Sequence, residues 1–473
     1  MKQTRPNIVL VLADQLRYQS CGYAGDAFAQ TPHLDALAQQ SVSFTNAVVS
    51  MPVCAATRAS LFTGKYVTST GMVINELRMN PNHRCLGHCL TDAGYQTGYI
   101  GKWHLWANQL GHHHDPANSY TPPGPHRLGF DGHWAAYNFH HDYYGTYYHT
   151  NSPERIYYGE GVFEPDAQTD LAIEFLREKS QGDTPFSLVL SYGTPHDPWT
   201  PENTPPEYYA RFADVEFPPP PTYRQGNDDP YGDAWSDIKK SPEQIQNWKR
   251  AYYAMTANLD WNIGRLQAAM AALDLAENTI FVFSSDHGEM FGAHGRMKKN
   301  IFYDEAARVP FLVKWPGVTA HGGECDACLN CVDVMPTLLG LAGIKSPSEV
   351  EGMDLAHLVR GEQGPEPAFA FLQNTGACAA WENGHEWRAL RDKRHTYAIY
   401  RADGKELLFD NQADPHQSRD LAENPEHQAM LARCRRQLRD KMAALNDHFP
   451  ESLWYREHWI SQDRRILRTA ALS

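Results

Sequence analysis

Residues 53–65, V-C-A-A-T-R-A-S-L-F-T-G-K, place a cysteine and an arginine at a spacing that could do chemistry. Cys54 is predicted to lie where a helix begins, and Arg58 follows four residues later on the same helix face. A helix N-terminus favours negative charge, and the arginine adds a forked cation near the same position. This arrangement suits a nucleophile that attacks a tetrahedral anion. Taken alone, the segment fits a small buried cysteine beside a surface arginine equally well.

Apolar, β-branched-rich runs that alternate with helical stretches have to position these side chains. We predict strands at residues 7–13, 97–100, 186–191 and 279–284, and helices at 32–40 (with Thr31 as N-cap), 84–93, 166–179 and 242–273. This alternation indicates an α/β fold with a large mixed, mostly parallel sheet sandwiched by helices. Ligands of such sheets bind beyond the carboxyl ends of the strands, where Asp14, Lys102, His196 and Asp286 fall.

Two long stretches, 105–161 and 195–237, lack this pattern and are predicted to be irregular. Their aromatic content favours ordered loops that face a substrate. A boundary near residue 362 is predicted to divide the chain into a catalytic α/β domain, 1–362, and a smaller C-terminal α+β subdomain, 363–473. In the subdomain we predict strands within 387–400 and at 406–409, and a helix at 425–445.

The composition limits the class of protein. The 473 residues include 42 Lys and Arg against 56 Asp and Glu, a net charge of −14. Nucleic acid and anionic membranes are therefore disfavoured as partners, and any anionic ligand needs a local positive pocket. Nine cysteines, an odd number, do not resemble a disulfide framework. The apolar run 8–13 is too short for a membrane span or a secretory signal, which predicts a cytoplasmic protein, or a periplasmic or secreted one if a leader was removed.

The segment 53–65 is one of several short motifs that span nearly the whole chain. The others are N-I-V-L-V-L-A-D-Q at 7–15, T-P-H-L-D-A-L-A at 31–38, Y-I-G-K-W-H-L at 99–105, T-P-H-D-P at 194–198, S-D-H-G-E at 285–289, H-G-R-M-K-K-N-I-F-Y-D-E at 294–305 and L-F-D-N-Q-A-D-P at 408–415. In this order they resemble the type I sulfatases, a formylglycine-dependent family of the alkaline phosphatase superfamily. The family pattern at 53–65 is Cys-x-Pro/Ala-Ser-Arg with a later Leu-x-Thr-Gly, and this chain departs from it with Thr57 instead of serine.

The resemblance implies that Cys54 is oxidised after synthesis to Cα-formylglycine, whose hydrated aldehyde is the nucleophile. A formylglycine-generating maturase is therefore an implied partner. Ala56, where proline is commoner, resembles the sites of oxygen-independent maturases, and the choice of maturase stays open. Arg58 is implied to hold the nucleophile, since a guanidinium does not titrate usefully.

Four further residues receive catalytic roles from the resemblance. Lys102 and Lys299 would balance charge on the sulfuryl oxygens, and the spacing within 294–305 selects Lys299 over the neighbouring lysine. His196 is the implied acid that protonates the departing alcohol, and His104 the implied base that restores the aldehyde. The assignment of acid and base between these two histidines stays open.

A divalent cation is expected at the acidic strand ends. Asp14 and Asp286 offer carboxylate oxygens and Gln15 a neutral carbonyl oxygen, a set that suits Ca²⁺. His287 stands where the family frequently has asparagine, and its imidazole makes Mn²⁺ a competitor. An oxygen of a formylglycine at Cys54 would complete the ligands.

These motifs predict a sulfatase that hydrolyses a sulfate monoester on a small molecule or saccharide. The histidine-, tyrosine- and tryptophan-rich insert favours a carbohydrate. A phosphonate monoester or phosphodiester hydrolase of the same superfamily is the first alternative, because Asp-Gln and Asp-His pairs also occur in that branch. An inactive glycan-binding pseudo-sulfatase is an alternative from another class. The motifs give no information on the oligomeric state.

A cysteine cluster, two histidine runs and a group of aromatic side chains each have a structural interpretation as well as a functional one. We expect Cys325, Cys328 and Cys331 to pack in the interior, because three thiols make an incomplete zinc site. The histidine runs 112–114 and 140–141 are expected to face substrate or solvent and not to hold a second metal. Six aromatic side chains could form a sugar-stacking wall or pack in the core: Trp103, Trp106, Trp134, Tyr137, Tyr143 and Tyr144.

Overall fold

The computed structural model describes residues 5–106, 112–224, 230–236, 241–319, 322–459 and 467–468. Its strands are β1 (Asn7–Ala13), β2 (Val42–Phe44), β3 (Leu77–Arg78), β4 (Gln96–Lys102), β5 (His133–Tyr137), β6 (Tyr147–Tyr148), β7 (Ile156–Tyr157), β8 (Phe186–Ser191), β9 (Thr279–Ser285), β10 (Phe311–Lys314), β11 (Gly323–Cys325), β12 (Ala370–Asn374), β13 (Trp387–Arg391), β14 (His395–Tyr400), β15 (Glu406–Asp410) and β16 (Leu467–Arg468). Its α-helices are α1 (Pro32–Ala38), α2 (Cys54–Thr63), α3 (Val67–Thr70), α4 (Leu86–Asp92), α5 (Pro116–Ser119), α6 (Glu164–Lys179), α7 (Pro206–Ala210), α8 (Pro242–Ala272), α9 (Asp304–Ala307), α10 (Val334–Leu341), α11 (Ala356–Val359), α12 (Gln428–Ala444) and α13 (Ser452–His458).

The main sheet has eight strands in the order β11-β2-β10-β9-β1-β8-β4-β5. Strand β1 is apolar along its length and buried throughout, and it pairs in parallel with β8 on one side and β9 on the other. Strand β10 pairs antiparallel with both β9 and β2. A strand that is buried on both faces needs no polar alternation, which explains the continuous apolar run. The predicted large, mixed and mostly parallel sheet is confirmed.

Helices cover both faces of this sheet, as predicted. Ile8, Leu10 and Leu12 of β1 point to one face and pack with α2, α4 and α10. Val9 and Val11 point to the other face and pack with α1, α6 and the long helix α8. Because side chains alternate along a strand, β1 contributes to both hydrophobic layers.

The register brings the functional strand ends to one edge of the sheet. Ala13 in β1 lies opposite Ser285 in β9, and β4 and β8 end level with each other at the same edge. Asp14 and Asp286 therefore follow adjacent strands, and Lys102 closes β4 two strands away from Asp14. Asp14, His196 and Asp286 lie beyond the carboxyl ends of their strands, as predicted, whereas Lys102 is the last residue of β4.

A second sheet, β12-β13-β14-β15, is an antiparallel meander in the C-terminal part of the chain. One face packs against α12, and the other packs against residues 290–307, which carry Lys299. The predicted smaller C-terminal α+β unit is thus present, while the division at residues 362 and 363 stays a prediction. The run 387–400 forms two strands, β13 and β14, with a turn between them.

Three sequence-based expectations are wrong in detail. The stretch 105–161 is not wholly irregular, since it contains β5 to β7 and α5, and β5 forms an edge of the main sheet. The stretch 195–237 contains α7. Thr31 does not cap α1; its hydroxyl accepts a hydrogen bond from Gly22 N (2.8 Å) and donates to Asp35 (3.2 Å). The strands and helices within the two stretches are short and depend on contacts with distant parts of the chain. Such contacts leave no signal in the local sequence pattern. Among the described helices, none is both long and apolar enough to cross a membrane.

Candidate active site

Cys54 is the first residue of α2, after Val53 in an extended conformation. Its Sγ lies 3.1 Å from His287 Nε2, 3.2 Å from Lys299 Nζ and 3.9 Å from Asp14 Oδ1. The backbone N–H of the next residue donates to Asn75 Oδ1 at 3.1 Å, which fixes the first turn of the helix. The thiol is therefore at the centre of the charged cluster. No sequence motif pointed to Asn75.

Arg58 is fully buried, so the interpretation as a surface arginine is wrong. Its Nε donates to Asp286 Oδ2 (3.1 Å), and its Nη1 donates to Lys102 O (2.9 Å) and Ser191 Oγ (2.6 Å). Its Nη2 lies 3.0 Å from Asp286 Oδ2 and 3.6 Å from Asp14 Oδ2. The guanidinium thus joins four strand ends beneath the thiol, instead of bonding to the thiol itself.

The surroundings of Asp14 and Asp286 shift the pKa values of the two carboxyl groups in opposite directions. Burial, with the nearby charges of Asp286 and Cys54, raises the pKa of Asp14 to about 6, although Lys102 forms an ion pair with it. Burial also acts to raise the pKa of Asp286, but His287 and Arg58 outweigh it and hold that pKa below its usual range. One carboxylate of the pair is therefore firmly ionised.

His287 is oriented by a backbone bond. Its Nδ1 donates to Gly288 O at 2.9 Å, so Nε2 carries the free electron pair and faces Cys54. The same Nε2 lies 3.6 Å from Asp14 Oδ1 and from Asp286 Oδ1. Burial and Lys299 lower the pKa of His287 to about 4, which leaves a neutral imidazole at neutral pH.

Gln15 adopts a left-handed backbone conformation (φ 69°) directly after β1. Its backbone N–H donates to Asp286 Oδ1 at 3.1 Å, and its Nε2 donates to the buried Glu289. Its Oε1 accepts from Lys299 Nζ at 3.4 Å and so faces the cluster. Glu289 also accepts from the backbone of Lys298 at 2.7 Å, so it orients the amide and anchors the lysine segment together. Sequence reasoning missed Glu289 as a positioning residue.

One set of side chains in the described part of the chain could hold a metal ion: Asp14, Cys54, His196 and His287, whose ligand atoms lie within 4.8 Å of one another. Three of these belong to the predicted ligand set, and His196 was predicted as an acid instead. The remaining predicted ligands, Gln15 and Asp286, border the same space. Carboxylate oxygens with one neutral imidazole fit a divalent cation.

Lys299 and His196 form a directly bonded pair. His196 Nδ1 donates to Asp197 O at 2.9 Å, so its Nε2 accepts from Lys299 Nζ at 2.8 Å. Burial, with His141 and Lys299, lowers the pKa of His196 well below its ordinary value. Lys298 points elsewhere: its Nζ lies 2.6 Å from Asp197 Oδ1 and 4.9 Å from the ring centroid of Trp199.

His104 completes the predicted set. It is buried, has a left-handed backbone (φ 55°), and packs against Phe139 with ring centroids 4.4 Å apart. Neither ring nitrogen has a hydrogen-bond partner among the described residues. Burial and the cations of Lys102 and Arg58 lower its pKa well below the ordinary value. It is thus a neutral imidazole available to a bound molecule.

A cavity of about 150 Å³ opens from this cluster. Beside Cys54, His104, His196 and Lys299 it is lined by His113 and His141 of the two histidine runs and by residues to which sequence reasoning gave no role, among them Asn75, Phe139, Trp235 and Cys378. His141 stacks on His196 at 3.8 Å with an interplanar angle of 7°. Trp235 is 45% exposed at the cavity.

The six aromatic side chains and the thiols of Cys328 and Cys331 pack in or against the core, Cys325 is partly buried, and His113 and His141 of the histidine runs line the cavity. Trp103, Trp134, Tyr137 and Tyr143 are buried in the core, Trp106 is nearly so, Tyr144 packs against it, and none lines the cavity. Burial raises the pKa of Cys328 to about 12 and that of Cys331 to about 11, as expected for structural thiols. All ten predicted site residues, in contrast, lie together around the cavity.

The fold and this site define a hydrolase of the alkaline phosphatase-like class. The sequence profile described as Sulfatase matches residues 6–344, and that of N-sulphoglucosamine sulphohydrolase, C-terminal, matches residues 292–444. An ulvan-active sulfatase of Formosa agariphila is 39% identical over 456 residues, which cover 96% of this chain and 84% of that protein. The chain therefore belongs to the sulfatase family, and it is a sulfuric ester hydrolase.

Solved structures agree with this fold. A candidate sulfatase, yidJ, from Bacteroides fragilis superposes with a TM-score of 0.83 at 30% identity, covering 96% of this chain and 98% of that one. A phosphonate monoester hydrolase from Silicibacter pomeroyi superposes with a TM-score of 0.74 at 23% identity, covering 94% and 96%. The second likeness concerns the fold alone.

Proposed function

We propose that the protein hydrolyses a sulfate monoester on a saccharide, with residue 54 as formylglycine and with a bound divalent cation. The observation that carries this proposal is the convergence of the Cys54 thiol with Lys299, His287 and Asp14 beside a cavity. A nucleophile at a helix start among cations suits an anionic tetrahedral centre. Because formylglycine has to be made from Cys54, we also propose a maturase as a partner.

Asp14, Gln15, Asp286 and His287, together with residue 54, would hold the cation. The oxygen donors favour Ca²⁺, and the imidazole keeps Mn²⁺ as a competitor. The hydrogen bond from His287 Nδ1 to Gly288 O supports this role, since metal-ligating histidines commonly fix their tautomer in this way. When bound, such a cation supplies Lewis-acid activation of a hydroxyl and balances charge on the sulfate oxygens.

Lys299, Lys102 and Arg58 have different electrostatic roles in the proposed reaction. Lys299 Nζ, 3.2 Å from Cys54 Sγ, is placed to bind a sulfate oxygen while it donates a hydrogen bond to its neighbour His196. Lys102 pairs with Asp14, and its ammonium lies 4.8 Å from the centroid of the Phe139 ring, which lines the cavity. Arg58 keeps the strand ends together and does not move protons.

His196 and His104 are proposed as the acid and the base. His196 and the Lys299 ammonium bonded to its Nε2 both line the cavity, where they are placed to deliver a proton to the departing alcohol. His104 is neutral with both ring nitrogens unpaired among described residues, which suits a base. These roles separate in time, because the acid acts as the alcohol leaves and the base acts afterwards.

His196→Ala is expected to slow hydrolysis of a sugar sulfate by about 10²- to 10⁴-fold. It should slow nitrophenyl sulfate far less, because nitrophenolate leaves without needing a proton. His104→Ala should slow both substrates alike and give a rapid burst of alcohol before turnover stalls. Steady-state and rapid-mixing rates of both variants with both substrates check this, and the reverse pattern would exchange the two roles.

The function itself is tested with paired aryl substrates. Protein produced with a maturase is expected to hydrolyse aryl sulfate in preference to aryl phosphonate by orders of magnitude. Chelation should remove this activity, and Ca²⁺ should restore it better than Mn²⁺. A strong preference for the phosphonate would favour the phosphonate or phosphodiester hydrolase instead, and activity that survives thorough chelation would contradict the cation.

The saccharide part of the proposal is supported by the cavity wall and by a relative. Trp235 and the stacked His141 offer flat rings of the kind that pack on sugars. The relative from Formosa agariphila is named an ulvan-active sulfatase. A screen of defined sulfated saccharides would identify the sugar and the sulfate position, and turnover confined to simple aryl and alkyl sulfates would contradict a saccharide substrate.

A further inference from the structure

A second cavity, of about 250 Å³, lies between the loops of the main sheet and the C-terminal sheet. Its lining includes four aromatic rings and two cationic side chains: Tyr231, His294, Tyr303, Tyr400, Arg224 and Lys405. None of them belongs to the site around Cys54.

The walls of this second cavity are stacked aromatic pairs. Tyr231 and Tyr400 stack with ring centroids 3.7 Å apart at 11°, and His294 and Tyr303 stack at 3.7 Å and 4°. His294 Nε2 is buried and has no hydrogen-bond partner among the described residues. Flat aromatic surfaces with a few polar groups are typical of sites that bind sugars and other small polar rings.

The rim of the second cavity carries two exposed cations, Arg224 and Lys405. Neither forms an ion pair with any residue in the described part of the chain. Asp420 also lines the cavity, but its Oδ1 already accepts from the backbone N–H groups of Leu408 and Ala422. In a chain with a net charge of −14, two cations at one rim favour an anionic ligand.

Two chain segments connect the second cavity to the active site. Tyr231 lines the second cavity, and Asp233, two residues later, lines the first. Because an extended chain spans at most about 3.6 Å per residue, the Cα atoms of these two residues are at most about 7 Å apart. His294 lines the second cavity and Lys298 lines the first, a separation of at most about 14 Å. A short oligosaccharide can span this distance.

We infer that the second cavity is a saccharide subsite, which binds an anionic sugar residue of the same oligosaccharide whose sulfate ester is cleaved beside Cys54. This inference rests on the proposed function, since it presumes a saccharide substrate. Arg224 and Lys405 contact the anionic group, and the aromatic walls with His294 contact the ring. Substrates longer than one sugar therefore gain affinity that a monosaccharide does not.

The test compares the double variant Arg224→Ala/Lys405→Ala with the unmodified protein. Its Km for a tetrasaccharide with anionic groups on several sugars is expected to rise about 10-fold or more, because two charged donors to the anionic group are lost. Its kcat/Km for nitrophenyl sulfate should not change. A tetrasaccharide with only the scissile sulfate should also be unaffected. Tetrasaccharides with either carboxylates or sulfates on the remaining sugars distinguish the source of the anionic group.

Arg436→Ala/Arg439→Ala is the matched control, because it removes two exposed positive charges from α12. An equal rise in Km in this control, or no rise in the cavity variant, would overturn the subsite. Calorimetric binding of the anionic tetrasaccharide to Cys54→Ala protein, with and without the cavity substitutions, gives an answer independent of turnover. Equal affinity with and without them overturns the subsite, whereas a lack of hydrolysis in the parent protein contradicts only the proposed function.

Discussion

Cys54→Ala is expected to lower sulfate ester hydrolysis by on the order of 10⁴- to 10⁶-fold, the effect of removing a covalent nucleophile. The reason is geometric, because Cys54 Sγ is the atom on which His287 Nε2 and Lys299 Nζ converge. The fold should survive, since alanine fits the first turn of a helix. Initial rates and a thermal unfolding curve measure the two effects separately.

Cys378 offers a matched control for this substitution. It lines the same cavity and is buried, but it bonds through its backbone to Asp233 and through its sulfur to Asn75. Cys378→Ala should keep most of the activity. Mass spectrometry of the peptide around residue 54 should find a species lighter than the thiol form, because an aldehyde replaces the CH₂–SH group. Intact thiol in fully active enzyme would contradict the formylglycine, and a retained rate in Cys54→Ala would contradict the whole assignment.

Lys299→Ala is expected to lower kcat by at least about 10²- to 10³-fold, the effect of losing one charged donor to the reacting group. Two interactions disappear at once, because Lys299 bonds both to the thiol position and to His196 Nε2. Burial opposes the charge on this lysine, but electrostatic interactions with Cys54 and Asp14 outweigh it and raise the pKa of Lys299, so it remains a cation. Steady-state rates with aryl and sugar sulfates give the loss for each substrate.

Lys298 is the matched control for Lys299. It is the adjacent lysine, yet its ammonium pairs with Asp197 and lies over the Trp199 ring. Lys298→Ala should therefore retain kcat within a few-fold and act mainly on stability or Km. Equal losses in both variants would mean that the segment as a whole was disturbed, and a larger loss in Lys298→Ala would reverse the choice between them.

Long, uniformly apolar elements could be predicted from the sequence, and short ones could not. The central strands β1, β8 and β9 have continuous apolar runs and were placed within a residue of their observed ends. Strands β2, β10 and β11 have three or four residues each and escaped prediction. Their conformation depends on pairing across the sheet, and a run of three or four residues carries little periodicity.

The residues of the candidate site that lie in short sequence motifs could be predicted from the sequence. Ten residues lie in short motifs and were identified there, although their roles remain proposals. Asn75, Glu289 and Cys378 could not be identified, because each contacts a partner distant in the sequence or in another element. Glu289, for example, is 274 positions from the Gln15 amide that it orients. Only the folded chain brings such pairs together.

The packing of the Lys299 segment against the C-terminal sheet has a consequence for the timing of synthesis. Cys54 leaves the ribosome early, whereas Lys299 and strand β15, which ends at Asp410, follow much later. At about 5–20 residues per second, the interval between residue 54 and residue 410 is roughly 20 to 70 seconds. During this interval the thiol belongs to an unfinished chain that another enzyme can reach, and afterwards it is 1% exposed. The length of chain that follows Cys54 would therefore set the time available for the proposed oxidation by a maturase.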